Sequence, residues 1–160
     1  MQKSSRIKRE LENIIRNPPP GISCVQKGDS LDVLDASIIG MKDTPYESGV
    51  FKIEIQIPEK YPFEPPCMRF ITPVYHPNVD VAGRICLDLL RLPPKGTWRP
   101  VITLSGLLTS VQMLLAQPNP DDPLMTDIAD EYRFNKPEYV RKAKEWTRKH
   151  AFQNMSKENE

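Results

Sequence analysis

Three thiols carry the reactive potential of this chain: Cys24, Cys67 and Cys86. A thiol has a pKa of about 8.5, so it can attack a carbonyl and later leave it, which suits transfer of an acyl group to an amine. None of the three forms a CxxC pair, and His76 and His150 are the only histidines available to supplement them, so a structural zinc site is not expected. An odd cysteine count behind an N-terminus without a secretory signal points to reduced thiols, in the nucleus or cytosol. Cys24 and Cys67 read as small buried hydrophobes. Cys86 stands in an irregular, proline-rich stretch, where a thiol can be either inert packing or a nucleophile.

The elements that must position these groups follow from periodicity. Ile7, Leu11, Ile14 and Ile15 recur at helical spacing in an amphipathic opening helix, with Ser4 or Ser5 as cap and Pro18-Pro19-Pro20-Gly21 as terminator. Strands are expected from Ile22 to Gln26, Leu34 to Ile39, Val50 to Ile57 and Cys67 to Ile71. Phe51, Ile53, Ile55 and Ile57 alternate with Lys52, Glu54 and Gln56, the pattern of an antiparallel sheet with one wet face. Regular pattern then stops past Thr72 through Pro73, Pro77, Pro93, Pro94 and Pro100; so long a loop in a compact domain is either functional or poorly ordered, and its local chemistry favours function. Helical spacing returns with Leu104, Leu107, Leu108, Val111, Leu114 and Leu115, whose apolar face should pack on the sheet. A short helix is expected after Pro123, and a last one begins near Pro137, with Tyr139, Ala143 and Trp146 on one side. The expected class is α+β: an N-terminal helix, a four-stranded antiparallel meander, a long active-site loop, then helices on the sheet. One domain spans 1–152, followed by a polar, frayed tail at 153–160.

Composition narrows the partners. With 22 Lys+Arg against 21 Asp+Glu, a net charge of +1 gives no global field for direct nucleic-acid binding. The most apolar stretch, from Val101 to Ala116, is interrupted by hydroxyl residues and too short to span a membrane.

Within this order stand YPFEPP at Tyr61 to Pro66, HPN at His76 to Asn78, ICLDLL at Ile85 to Leu90, Trp98, and NPDDPL at Asn119 to Leu124. Together, and at these spacings, they closely resemble the catalytic core of the ubiquitin-conjugating enzyme family, over essentially the whole chain. The resemblance implies that Cys86, eight positions after Asn78, carries ubiquitin as a thioester and yields it to a lysine amine. Asn78 matches the family residue that stabilises the oxyanion, and it can equally shape its own loop through backbone hydrogen bonds; the two roles are compatible. Asp122 matches the acidic residue that orients and deprotonates the lysine, with capping of the helix after Pro123 as the alternative. Asp88 is a supporting candidate. His76, inside a turn motif, is expected to hold a structural hydrogen bond and not to act as a base.

The resemblance also implies partners: ubiquitin, a ubiquitin-activating enzyme, a RING-type ubiquitin ligase and a substrate protein, with no cofactor, since ATP is consumed upstream. Arg6 and Arg9 on the first helix, Phe63, and the loop Trp98, Arg99 and Pro100 match the family's ligase-binding positions. Phe63 between prolines suits a rigid apolar anchor, although a core position would also fit a phenylalanine. The PPPGI turn and the lengthened LDLLRLPPKGT segment resemble the T-type members of the family, which implies a location in the nucleus and also in the cytoplasm, and monoubiquitylation in DNA crosslink repair with the Fanconi anaemia ligase. An inactive ubiquitin-binding variant would generally lack the cysteine, a conjugator of another ubiquitin-like modifier would keep the same chemistry, and a papain-like hydrolase would need a histidine pattern absent here. Finally, Tyr61-Pro62 or Pro65-Pro66 is expected to be cis, as an aromatic or proline before proline in a tight turn favours that isomer.

Overall fold

The computed structural model describes residues 2–152; the polar tail expected at 153–160 lies outside the described residues. Helix α1 (Gln2–Arg16) buries Ile7, Leu11 and Ile14 along one stripe, while Ile15 stays exposed. It starts at Gln2, so Ser4 and Ser5 lie inside its first turns and neither is the expected cap. After the proline run, Gly21 turns the chain at φ 73°, in the left-handed region glycine reaches without strain.

Strands β1 (Ile22–Lys27), β2 (Ser30–Ile39), β3 (Val50–Gln56) and β4 (Cys67–Phe70) form an antiparallel meander in the order β1-β2-β3-β4. β2 begins four residues earlier than its apolar pattern suggests, because the tight turn at Gly28 brings Ser30 opposite Lys27. Phe51 pairs with Ile38, Ile53 with Ala36 and Ile55 with Leu34, all on the buried face. Strand alternation sends Met68 and Phe70 inward and Cys67 and Arg69 outward. Cys67 is therefore exposed, contrary to the expected buried thiol, whereas Cys24 is buried and its thiol is pushed up to about 12 by desolvation.

Helix α2 (Leu104–Ala116) lays Leu104, Leu107, Leu108, Val111, Leu114 and Leu115 into the core shared with the sheet. Its N-terminus is capped by Thr103, whose hydroxyl accepts from the Gly106 amide at 3.0 Å. A second acceptor comes from α1: the buried Glu10 takes the Leu104 amide at 2.7 Å and the Tyr61 hydroxyl at 2.5 Å, with Arg6 Nε 3.3 Å away. One carboxylate thus ties three segments together, and its charge-assisted bonds are the condition for burying it. Helix α3 (Thr126–Phe134) packs on α4 (Lys136–His150), where Tyr139 and Ala143 are buried and Trp146 is partly exposed. α3 starts later than Pro123; no side chain caps it.

Tyr61-Pro62 is cis, as expected, and so is Pro93-Pro94, which the sequence did not suggest.

Candidate active site

The site begins with a buried turn. His76 and Asn78 are both fully enclosed. His76 Nε2 lies 2.8 Å from the Leu114 carbonyl on α2, and Nδ1 accepts the Asn78 amide at 2.9 Å. Both contacts are met by the neutral ring with its proton on Nε2, and desolvation accordingly pushes the imidazole down to about 4. His76 is a structural pin between α2 and the turn, as its motif suggested.

Asn78 extends that pin. Its amide nitrogen donates to the carbonyls of Asn119 at 2.8 Å and Asp122 at 3.0 Å, and its side-chain oxygen accepts the Asn119 amide at 2.8 Å. The Pro77 carbonyl takes the amides of Leu124 and Met125 at 2.9 and 3.0 Å. Three bonds through one side chain and two through one carbonyl therefore fix the 119–125 loop against the turn. Both side-chain amide protons of Asn78 are engaged with loop carbonyls in this arrangement, which is the loop-shaping role of the two expected for it.

From Asn78 the chain runs out and back to Cys86. Val79 bridges Ile85, Arg84 bridges Arg69 on β4, and the Cys86 amide donates to the Asn78 carbonyl at 2.9 Å. The return is tight: Gly83 sits at φ 86°, and a Cβ there would fall 2.0 Å from the Phe70 carbonyl oxygen. Cys86 is thereby clamped at its backbone while its side chain stays partly exposed.

Asp122 is what the clamp delivers. Its Oδ2 lies 3.3 Å from Cys86 Sγ, on an exposed side chain. α3 begins at Thr126, so Asp122 does not cap it and the alternative reading falls away. The sequence reading missed the third member: Arg91, whose Nη2 is 2.6 Å from the sulfur and 3.7 Å from Asp122 Oδ2. Its signal was available, as a cation within the lengthened segment after Cys86. Partial burial, and then the hydrogen bond and charge of Asp122, push the Cys86 thiol up; Arg91 opposes them. Asp88 is not brought to the sulfur. It opens a single 3-10 turn, Asp88–Leu90, and its carbonyl accepts the amides of Arg91 at 3.1 Å and Thr97 at 2.9 Å, so its contribution is to hold the loop.

The expected docking residues separate into exposed and internal ones. Phe63 is 63% exposed, which rules out the core position, and Arg9, Arg99 and Pro100 are exposed with it. Trp98 is not a surface group: it is 2% exposed, packs near Tyr61 with ring centroids 6.1 Å apart, and donates its indole N–H to the Pro62 carbonyl at 3.1 Å. The ring braces two loops from beneath because burying it with its one donor satisfied removes a large apolar area from water. Arg6 faces inward too, donating to the Ile102 carbonyl at 2.8 Å with its guanidinium 5.5 Å from the Tyr61 ring centroid.

The model of a family described as ubiquitin-conjugating enzyme matches residues 6–147. A Bos taurus protein named ubiquitin-conjugating enzyme E2 T is 59% identical over 158 residues, covering 99% of this chain and 81% of the relative. The Homo sapiens protein of that name is 57% identical over 160 residues, covering 100% and 81%. A Drosophila melanogaster ubiquitin-conjugating enzyme E2 N is 43% identical over 146 residues, covering 91% and 94%. With the motif order, the meander and the clamped cysteine, these matches establish that the chain belongs to the ubiquitin-conjugating enzyme family, a transferase whose general partners are ubiquitin, its activating enzyme and a ubiquitin ligase.

Proposed function

We propose that the chain accepts ubiquitin as a thioester on Cys86 and, with a RING-type ligase docked at Phe63, Arg9, Arg99 and Pro100, passes it to a lysine of a substrate protein. The observation that supports this most directly is the 3.3 Å approach of Asp122 Oδ2 to a partly exposed, backbone-clamped Cys86 Sγ. Charging exchanges one thioester for another and needs no base for an amine. Discharge does: a lysine with its ordinary pKa of about 10.4 is almost wholly protonated at pH 7, and a carboxylate beside the thioester can hold the amine and take its proton. Once that proton has passed to water, the neutral amine attacks the carbonyl carbon, the nitrogen gives its second proton to the freed carboxylate as the amide forms, and Cys86 leaves as thiolate. Asn78 and His76 are positioning residues in this reading, acting through the loop that carries Asp122. Trp98 and Arg6 likewise support the docking surface from within.

The likeness to relatives named E2 T supports a narrower reading: monoubiquitylation in DNA crosslink repair, in the nucleus and also in the cytoplasm, without direct nucleic-acid or membrane contact. Residues 1–152 serve as the conjugating unit and 153–160 as a polar extension. Imaging of the tagged chain restricted to the cytoplasm, or a substrate carrying only polymeric ubiquitin, would count against it.

A single gel experiment tests the core of the proposal. With ubiquitin, activating enzyme and ATP, the protein should gain one adduct that reductant removes, and Cys86→Ala should gain none. Phe63→Ala should charge normally yet lose most ligase stimulation of discharge. A reductant-sensitive adduct on Cys86→Ala would refute the assignment of the cysteine, and unimpaired ligase stimulation of Phe63→Ala would refute the docking surface.

A further inference from the structure

Asp122 creates a difficulty for the sulfur it serves. A carboxylate 3.3 Å from Sγ helps an incoming amine, but it opposes the negative charge that collects on the same sulfur when the carbon–sulfur bond breaks. Arg91 occupies the position that answers this, with Nη2 2.6 Å from Sγ and 3.7 Å from Oδ2.

The loop that carries Arg91 is built to hold it there. Its backbone is pinned from both sides, with the Arg91 amide donating to the Asp88 carbonyl at 3.1 Å and the Trp98 amide to the Arg91 carbonyl at 2.9 Å. The Thr97 amide closes on Asp88 at 2.9 Å and the Gly96 amide on the Leu92 carbonyl at 2.9 Å. Gly96 is required by proximity, because a Cβ there would lie 2.2 Å from the Arg91 carbonyl oxygen and 2.4 Å from the Arg91 Cβ. The base of the loop is anchored by Trp98, itself buried and bonded to Pro62. The lengthened segment after Cys86 is thus a compact brace around one arginine. Lys95, the other cation in it, is exposed and has no contact with the sulfur among the described residues.

We propose that Arg91 is a further catalytic residue of the transfer reaction: its guanidinium stabilises the Cys86 thiolate as that thiolate attacks during charging and as it departs when lysine takes the ubiquitin. This rests on the reading of Cys86 as the thioester carrier. In the discharge step the lysine, whose ammonium proton has passed through Asp122 to water, forms the new bond from its neutral nitrogen to the carbonyl carbon; the carbon–sulfur bond gives its electron pair to Sγ, and the second proton, shed as the nitrogen becomes an amide, goes to Asp122. Arg91 donates hydrogen bonds throughout and transfers no proton, which suits a guanidinium, a fork of N–H donors with no acceptor. A planar guanidinium is also a poor nucleophile beside a thioester, where a lysine amine could take the acyl group itself.

Arg91 and Asp122 should then move the reactivity of Cys86 in opposite directions. Alkylation of the uncharged protein by iodoacetamide, followed across pH at Cys86 by mass spectrometry, reads the thiolate directly and needs no ubiquitin. In Arg91→Gln the profile should shift to higher pH, in Asp122→Asn to lower pH, and in Lys95→Gln not at all. In parallel, single-turnover discharge of the charged protein to free lysine should fall about fivefold in Arg91→Gln, the upper end for a half-exposed charge pair. That deficit should persist at high pH, since departure of the sulfur does not depend on how much amine is free. An unshifted alkylation profile in Arg91→Gln, or discharge equal to that of the unmodified protein, overturns the proposal. Failure of the unmodified protein to form any adduct at Cys86 would instead remove the reading beneath it, while the alkylation profile still reports whether Arg91 acts on the sulfur.

Discussion

Two halves of the site stand a few ångströms apart and are built on opposite principles. The His76–Asn78 turn is buried, uncharged and fully satisfied, each polar atom of its two side chains having at least one backbone partner. The Cys86, Asp122 and Arg91 cluster is charged and partly exposed, with each group pressing on the next. The first half resists change, as an unsatisfied buried amide is expensive. The second holds charges that only become useful when a substrate arrives. In the proposed reading, motif residues that look equally catalytic in sequence divide into architecture and chemistry, and burial with saturated hydrogen bonding is what separates them.

The largest separation between the halves should appear in stability. Asn78→Ala removes three part-buried hydrogen bonds that fix the 119–122 loop, so chemical denaturation should register a loss of about 2–4 kcal/mol. Asp122→Ala, on an exposed side chain, should stay within about 0.5 kcal/mol of the unmodified protein. Equal losses would erase the division.

A smaller effect of the same origin is expected with pH. The His76 imidazole titrates at about 4 in the folded protein against an ordinary 6.5, so between those values the unfolded chain binds the proton that the folded one refuses. Its contribution is complete above pH 6.5 and is lost as pH falls toward 4. From pH 7 to pH 5 this amounts to about 2 kcal/mol. A His76→Gln variant, whatever its stability at pH 7, should lose about that much less over the same interval; an unchanged pH dependence would mean His76 is not held neutral.

Much of this was legible beforehand. The alternation of Phe51, Ile53, Ile55 and Ile57 and the leucine stripe of α2 announced the sheet and its covering helix, since the period of apolar residues is set by which face is buried. The pairing of Cys86 with Asp122 was implied by the resemblance to the family. What stayed hidden depended on contacts between segments far apart in sequence. Trp98 reads as a surface anchor until Pro62 and Tyr61 are placed above it, and Cys67 reads as a buried thiol until the register of β4 turns it outward. Arg91 sits in a segment without periodicity, where a cation looks like solvated surface until the loop folds it onto the sulfur. The commitment of Asn78 to Asn119 and Asp122 likewise joins positions about forty residues apart in sequence.

The division of labour is tested most directly by single-turnover discharge of the Cys86 thioester to free lysine, measured from pH 7 to pH 9.5 in the unmodified protein, Asp122→Ala and Asn78→Ala. Both variants should charge, and both should discharge more slowly at pH 7. Because each deficit originates in the handling of the amine, directly for Asp122 and through the placement of its loop for Asn78, both should shrink in parallel as pH supplies free amine. A deficit in Asn78→Ala that holds constant across pH while that of Asp122→Ala disappears would show Asn78 stabilising the oxyanion itself, and would contradict the assignment of the buried turn to architecture.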